Sequence, residues 1–136
     1  MDLINPPKVS KPNGTYSHAI KVPAGFETLY VSGQVPLSLD GTVPEDFAEQ
    51  AEMVFKNIQE ILIYAESSVQ QIVKLTSFIT KPEFFSRFAE VRAHFLDGHR
   101  PASTLLVVSA LASPKFLVEV EAIAVINTVS QFAQSQ

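Results

Sequence analysis

The chain has 136 residues, of which 46% are hydrophobic and 18% are charged, a composition typical of one globular domain and not of a disordered chain. The absence of cysteine excludes disulfides and thiolate metal sites. A formal net charge of −4, with basic residues that form no stripe, argues against nucleic acid as a partner.

The first residues lack the apolar core of a signal peptide, and no segment is apolar enough to span a bilayer. We therefore expect a cytoplasmic protein without membrane contact. A single domain is predicted for residues 1–136. Residues 1–14 are expected to be an irregular lead-in and residues 127–136 a polar tail.

The first half of the chain predicts two strands and a helix. The strands cover residues 16–22 and 28–35, and Gly33 inside the second one suggests a bulge or a close backbone approach. From residue 46 to about 67, apolar side chains recur at helical spacing. The preceding run Pro44-Glu45-Asp46 is typical of a helix start, because acidic residues favour the positive end of the helix dipole.

The second half predicts a strand at residues 72–80 and a second helix from Pro82 to near Gly98. Two further strands follow at residues 104–111 and 117–125. The linker between these two strands contains Pro114, which cannot donate to a sheet ladder, so the pattern favours a hairpin.

The resulting order β-β-α-β-α-β-β predicts an α+β domain with both helices on one face of a mixed sheet. We expect self-association, because four apolar strand residues cannot all face water on the open side of such a sheet. These residues are Leu29, Val31, Leu105 and Val107.

The sequence lacks the motifs of metal and phosphate sites. The three histidines, His18, His94 and His99, form no HExxH motif and no i, i+4 pair, and no glycine-rich phosphate loop occurs. Neither a metal nor a cofactor is predicted.

Two glutamates lie on one face of the last strand, Glu119 and Glu121. One explanation is structural, with both acids held by backbone amides or by a lysine such as Lys74. The other is functional, since a partly desolvated glutamate can polarise a water molecule. Likewise, Ser32-Gly33-Gln34 could simply end a strand, and Tyr16-Ser17 could be a rim contact.

Taken together, these features resemble the RidA/YjgF family, whose older name is the L-PSP endoribonucleases. The resemblance extends from about residue 15 to residue 125. Its segments are Tyr16-Ser17, Val31-Ser32-Gly33-Gln34, Gln50 with Asn57, Val73-Lys74, Arg100-Pro101-Ala102 and Val118-Glu119-Val120-Glu121-Ala122-Ile123-Ala124.

The resemblance implies a chorismate-mutase-like fold, a homotrimer, and a small-molecule cleft at each subunit interface. It also implies a deaminase that hydrolyses small enamines or imines without a cofactor. In this family Glu119 corresponds to the glutamate that handles water. Tyr16 and Ser32 correspond to cleft residues, and Gly33 would permit close approach of the ligand.

The chain departs from the family pattern at three cleft positions. Ser103 stands where the archetype has a carboxylate-binding arginine, Phe88 replaces an asparagine, and Leu105 replaces a small polar residue or cysteine. Serine cannot form the forked contact of a guanidinium with a carboxylate.

Three interpretations follow from these departures. The first is a hydrolase whose substrate lacks a carboxylate or has it held by Arg100. The second is a ligand-binding protein without turnover, with a more apolar cleft. The third, a nuclease or translation inhibitor, is disfavoured by the acidic composition.

Overall fold

The computed structural model describes residues 1–128, which contain two α-helices, two short 3₁₀ helices and six strands. The elements in chain order are β1 (Asp2–Ile4), β2 (Ala19–Lys21), β3 (Phe26–Gln34), α1 (Phe47–Tyr64), β4 (Ile72–Ile79), α2 (Phe85–Leu96), β5 (Ala102–Val107) and β6 (Val118–Asn127). β1 and β2 form an antiparallel pair, and the other strands form one sheet in the order β3-β6-β4-β5. Only the β4–β5 pairing is parallel among these described strands. The predicted α+β class, with both helices on one face of a mixed sheet, is confirmed.

The predicted hairpin of residues 104–111 with 117–125 is wrong, because β4 lies between β5 and β6. An alternating pattern predicts a strand but does not predict which strand pairs with it. β6 forms ladders with β3 on one side and β4 on the other, so its backbone groups are satisfied without β5. β5 pairs instead with the remaining edge of β4.

The N-terminal segment is more regular than expected. β1 lies inside the predicted irregular lead-in, where Leu3 pairs with Ile20 of β2. The first predicted strand begins at Ala19, later than residue 16, because Ser17 forms a bridge to Ala102 at the start of β5. At the other end, Asn127 completes β6, and residues 129–136 of the predicted tail lie outside the described residues.

The helix α1 forms where helical periodicity predicts it. Its first turn is capped by Asp46, whose carboxylate accepts a hydrogen bond from the Glu49 amide at 3.1 Å. Its apolar stripe is buried against the sheet and includes Ala51, Val54, Ile58 and Leu62. Because these positions are spaced three and four residues apart, one helix face supplies much of the core.

The two faces of the sheet differ from the expectation for the apolar strand residues. Val31 belongs to the core, and Leu29 and Leu105 pack against it, so these three side chains are on the helix side. The open face instead carries Tyr30, which is 77% exposed, and Leu106, which is 47% exposed. The carboxylates of Glu119 and Glu121 also lie on this open face, since Val118, Val120 and Ala122, which alternate with them along β6, are buried in the core.

No helix within residues 1–128 combines the length and apolarity that crossing a membrane requires.

Candidate functional site

A β-bulge interrupts the ladder between β3 and β6. The register shifts between Val31 and Gln34, so Ser32 and Gly33 form the irregular part of β3. A bulge re-aims the backbone toward a neighbouring side chain and is often found beside functional sites. The irregularity predicted from Gly33 is therefore confirmed.

The bulge brings the backbone of Gly33 against the carboxylate of Glu119. A Cβ atom added at Gly33 would lie 2.1 Å from Glu119 Oε2 and 2.9 Å from Glu119 Cδ. No side chain can occupy position 33 while Glu119 keeps this position. The close approach predicted for Gly33 is thus present, and its partner is the glutamate proposed from sequence as the catalytic group.

Two amide side chains of α1 hold the strand ends that carry this pair. Gln50 is buried; its Nε2 donates to two loop carbonyls at 2.7 and 2.9 Å, while its Oε1 accepts from the Leu117 amide at 2.9 Å. Asn57 Nδ2 donates to the Leu37 carbonyl at 3.2 Å, beyond the end of β3. The Gln50–Leu117 bond lies two residues from Glu119, and the Asn57–Leu37 bond lies four residues from Gly33.

The open face of the sheet contains a depression of about 240 Å³, and neither Gly33 nor Glu119 is among its lining residues. Its polar lining includes Tyr30, Ser32, Lys74, Thr76 and Glu121. Lys74 does not cap the two glutamates as suggested, because its Nζ donates to Thr104 Oγ1 at 2.7 Å and no ion pair joins it to either acid in the described residues. Residues 1–128 contain no cluster of three His, Cys, Asp or Glu side chains able to hold a metal ion.

A second group of predicted residues meets at the outer edge of β5. The Ser17 hydroxyl donates to the Arg100 carbonyl at 2.6 Å, and the Arg100 guanidinium Nη1 donates to the Gly14 carbonyl at 3.0 Å. Because Tyr16 lies between Gly14 and Ser17, the structure brings Tyr16 and Arg100 to the same turn. Ser103 follows on β5, one residue after the Ser17–Ala102 bridge.

The other two predicted cleft residues occupy the helix side of the sheet. Leu105 pairs with the buried Ser77 of β4 and packs against the core. Phe88 has no exposed surface, and its ring centroid lies 5.7 Å from that of Phe55. The expectation that Phe88 lines the cleft does not hold in this subunit, because a fully enclosed ring offers no surface to a ligand.

Arg92 of α2, which is only 6% exposed, is not among the site residues predicted from the sequence. Its Nε donates to Thr15 Oγ1 at 3.3 Å, and its guanidinium carbon lies 5.4 Å from the ring centroid of Phe88. Burial lowers the pKa of the Arg92 guanidinium. A signal was present in the sequence, since Arg92 follows Phe88 by four residues and therefore shares its helix face.

Comparison with known proteins identifies the family to which this chain belongs. The family described as Endoribonuclease L-PSP matches residues 7–126. A RutC family protein of Pyrococcus abyssi is 36% identical over 126 residues, covering 90% of this chain and 95% of that protein. The chain belongs to the endoribonuclease L-PSP family, which is the RidA/YjgF family.

Solved structures agree in fold. The Rid family protein YyfB of Yersinia pestis, a protein of unknown function, matches with a TM-score of 0.83 and 31% identity over 92% of this chain and 98% of that one. Escherichia coli TdcF, solved with bound serine, matches with a TM-score of 0.68 and 29% identity over 93% of this chain and 99% of that one.

Proposed function

We propose that the protein is a cofactor-independent hydrolase that releases ammonia from a small imine or enamine. The observation that carries this proposal is the contact between the Glu119 carboxylate and the bare backbone of Gly33. It places a carboxylate on the open face of the sheet next to backbone that no side chain covers. In the proposal, this carboxylate meets a water molecule and a small substrate in a cleft that a second subunit completes.

In the proposed reaction, Glu119 accepts a proton from water as the water oxygen bonds to the imine carbon. That proton then passes to the nitrogen, which gives a carbinolamine. The proton of its new hydroxyl group moves to the nitrogen as the carbon–nitrogen bond breaks, and a carbonyl compound and ammonia leave. Tyr16 and Ser32 shape the cleft and fix the nitrogen end. Backbone groups near Ser103 hold the other end of the substrate. Glu121 has a structural role, because one acid suffices for the water.

We expect the cleft to be built by two subunits. Ser103 and Glu119, which the proposal places at the two ends of the substrate, are far apart within one subunit. Ser103 and Glu119 lie on strands to either side of β4, about 10 Å apart. Their partners on β4, Leu75 and Phe78, are three residues apart, which adds about 10 Å along the strand. In addition, Ser103 is on the helix side of the sheet and Glu119 on the open side. A small imine cannot touch both within one chain.

A homotrimer supplies the missing half and covers the apolar part of the open face. Tyr30 and Leu106 are large side chains with 77% and 47% exposure, and an oligomer interface removes such surface from water. Light scattering on the purified protein is expected to give three times the 14.9 kDa mass of the chain. A monomer at micromolar concentration would contradict the two-subunit cleft.

The decisive experiment measures ammonia release from 2-iminopropanoate generated in situ. The wild type is expected to accelerate release, and Glu119→Gln is expected to lose most of the acceleration, since an amide cannot accept the proton. Glu121→Gln is the matched control, two residues along the same strand, and should keep the activity. Full turnover by Glu119→Gln would contradict the proposed role of this residue.

A second candidate function is binding of a small ligand without turnover. Ser103 favours it, because the position of the archetypal arginine carries no charge. TdcF, the relative with bound serine, shows that a member of the family holds a small amino acid. Ligand binding by calorimetry without any ammonia release would support this candidate. Nuclease action is tested by RNA binding at low salt, which the net charge of −4 predicts to be undetectable.

A further inference from the structure

Arg92 is a buried cation without an anionic partner among the described residues. The ion pair Arg87–Glu90 lies on the surface of the same helix. Within residues 1–128, no ion pair involves Arg92. The guanidinium has five N–H donors, of which the Nε donor is used by the Thr15 hydroxyl. Its flat face is near the ring of Phe88, which leaves its edge for hydrogen bonding.

A buried charge of this kind is costly for folding. Burial is unfavourable for a charged group that lacks a counter-ion, and a hydroxyl does not neutralise a cation. The Nη atoms still reach solvent, because Ser77 Oγ is the only enclosed side-chain atom without a partner in residues 1–128. A methionine at this helix position would fill similar space at lower cost. Arginine is the side chain suited to planar, forked recognition of a carboxylate or phosphate.

The location of Arg92 connects it to the proposed cleft. A Cβ atom added at Gly14 would lie 3.9 Å from Arg92 Nη2 and 3.6 Å from Tyr16 Cδ1. Gly14 also accepts the hydrogen bond from Arg100. Two guanidinium groups, from α2 and from the start of β5, therefore meet the same turn beside Tyr16.

The helix α2 lies on the same side of the sheet as Ser103. Ser103 pairs with Leu75, a fully buried core residue beneath the helices, so the two share the helix-side face. Ser103 carries no positive charge, but Arg92 supplies one from α2, on the same side of the sheet. The turn of residues 14–16 joins the two, because it contacts Arg92 and leads into the Ser17–Ala102 bridge.

We propose that Arg92, assisted by Arg100, binds the carboxylate of the substrate at the Gly14–Tyr16 turn and replaces the arginine absent at Ser103. The substrate is then a 2-imino acid. The identity of that substrate rests on the proposed hydrolase function, whereas the anion site itself does not. Arg100 alone is a weaker candidate, because its side chain is exposed and its Nη1 is already bound to a carbonyl.

In the proposal, the ligand approaches Arg92 past Gly14, which has no side chain. The neighbouring atoms are at ordinary van der Waals distance from an added Cβ, so a small side chain fits there without displacing backbone. A side chain larger than methyl would stand over Nη2 and obstruct an approaching carboxylate. Gly14→Val therefore blocks the site while keeping the buried charge.

The test compares binding of pyruvate, the hydrolysis product of 2-iminopropanoate, with binding of its uncharged analogue pyruvamide, by calorimetry on the oligomer. Arg92→Gln is expected to weaken pyruvate binding by about 10- to 100-fold and to change pyruvamide binding little. Arg92→Lys keeps the charge without the fork and should give a smaller loss. Arg87→Gln, on the exposed side of α2, is the matched control and should match the wild type.

Unchanged pyruvate affinity in Arg92→Gln, or an equal loss for pyruvate and pyruvamide, would overturn the proposal, since a merely structural arginine does not discriminate charge. If Arg92→Gln does not fold, Gly14→Val decides the question: selective loss of pyruvate supports the site, and unchanged selectivity refutes it. Selective pyruvate binding without ammonia release would support the anion site and contradict the hydrolase. Ammonia release with no selectivity for pyruvate would support the hydrolase and contradict the anion site.

Discussion

The sharpest consequence of the Gly33–Glu119 contact is the effect of Gly33→Ala. The added methyl would lie 2.1 Å from Glu119 Oε2, whereas ordinary contact begins at 3.4 Å, so the oxygen must retreat by about 1.3 Å. Glu119 Cγ, at 3.2 Å, is also crowded, so the side chain must swing as a whole. This movement leaves the strand intact but removes the carboxylate from its place.

The expected loss is large in activity and small in stability. Misplacing a catalytic group by about 1 Å can cost about 100-fold in rate, whereas an off-rotamer side chain costs about 0.5–1.5 kcal/mol. We therefore expect kcat/KM for ammonia release to fall about 100-fold, with the free energy of unfolding in urea changed by about 1 kcal/mol. Both quantities are measured on the same preparation.

Two further variants separate the local effect from general damage. Gly41→Ala introduces strain at a φ of 88° with nothing within 4 Å, so it should lower stability and leave kcat/KM unchanged. In the background of Glu119→Gln, Gly33→Ala should add little further loss, because both changes act on one group. Full activity of Gly33→Ala, or an undiminished effect in the double variant, would refute the reasoning.

Three other predictions concern stability. Gln50→Ala removes three hydrogen bonds made by a buried side chain and should lower the free energy of unfolding in urea by about 2–4 kcal/mol; a loss below 1 kcal/mol would contradict this role. Ser77→Ala removes a buried hydroxyl for which the described residues offer no partner, and should raise the urea midpoint; a lower midpoint would show a hidden bond. Hydrogen bonds from Ser38 and then Thr42 lower the pKa of Asp40 from 3.8 to about 2. Its stabilising contribution is complete above pH 3.8 and is lost as the pH falls through 2, so Asp40→Asn should flatten the acid side of the stability profile.

Local sequence pattern predicted both α-helices and the main strands, but it missed β1, which lies in the segment expected to be irregular. The apolar period of α1 and its Asp46 cap are local properties, which is why the helix was predicted within a few residues of its observed ends. The alternation in β6 likewise predicted that Glu119 and Glu121 share one face of the strand. At Gly33, a glycine inside a strand predicted an irregularity, and the bulge is present.

Only the tertiary structure decided which elements are neighbours. The sequence favoured a hairpin, but β6 satisfies both of its backbone edges with β3 and β4, so β5 pairs in parallel with β4. The contact of Arg92 with Thr15 spans 77 residues and could not be read from either segment alone. Periodicity is set by the geometry of one chain segment, whereas partners are selected by the competition among all segments to bury apolar surface and satisfy backbone polar groups.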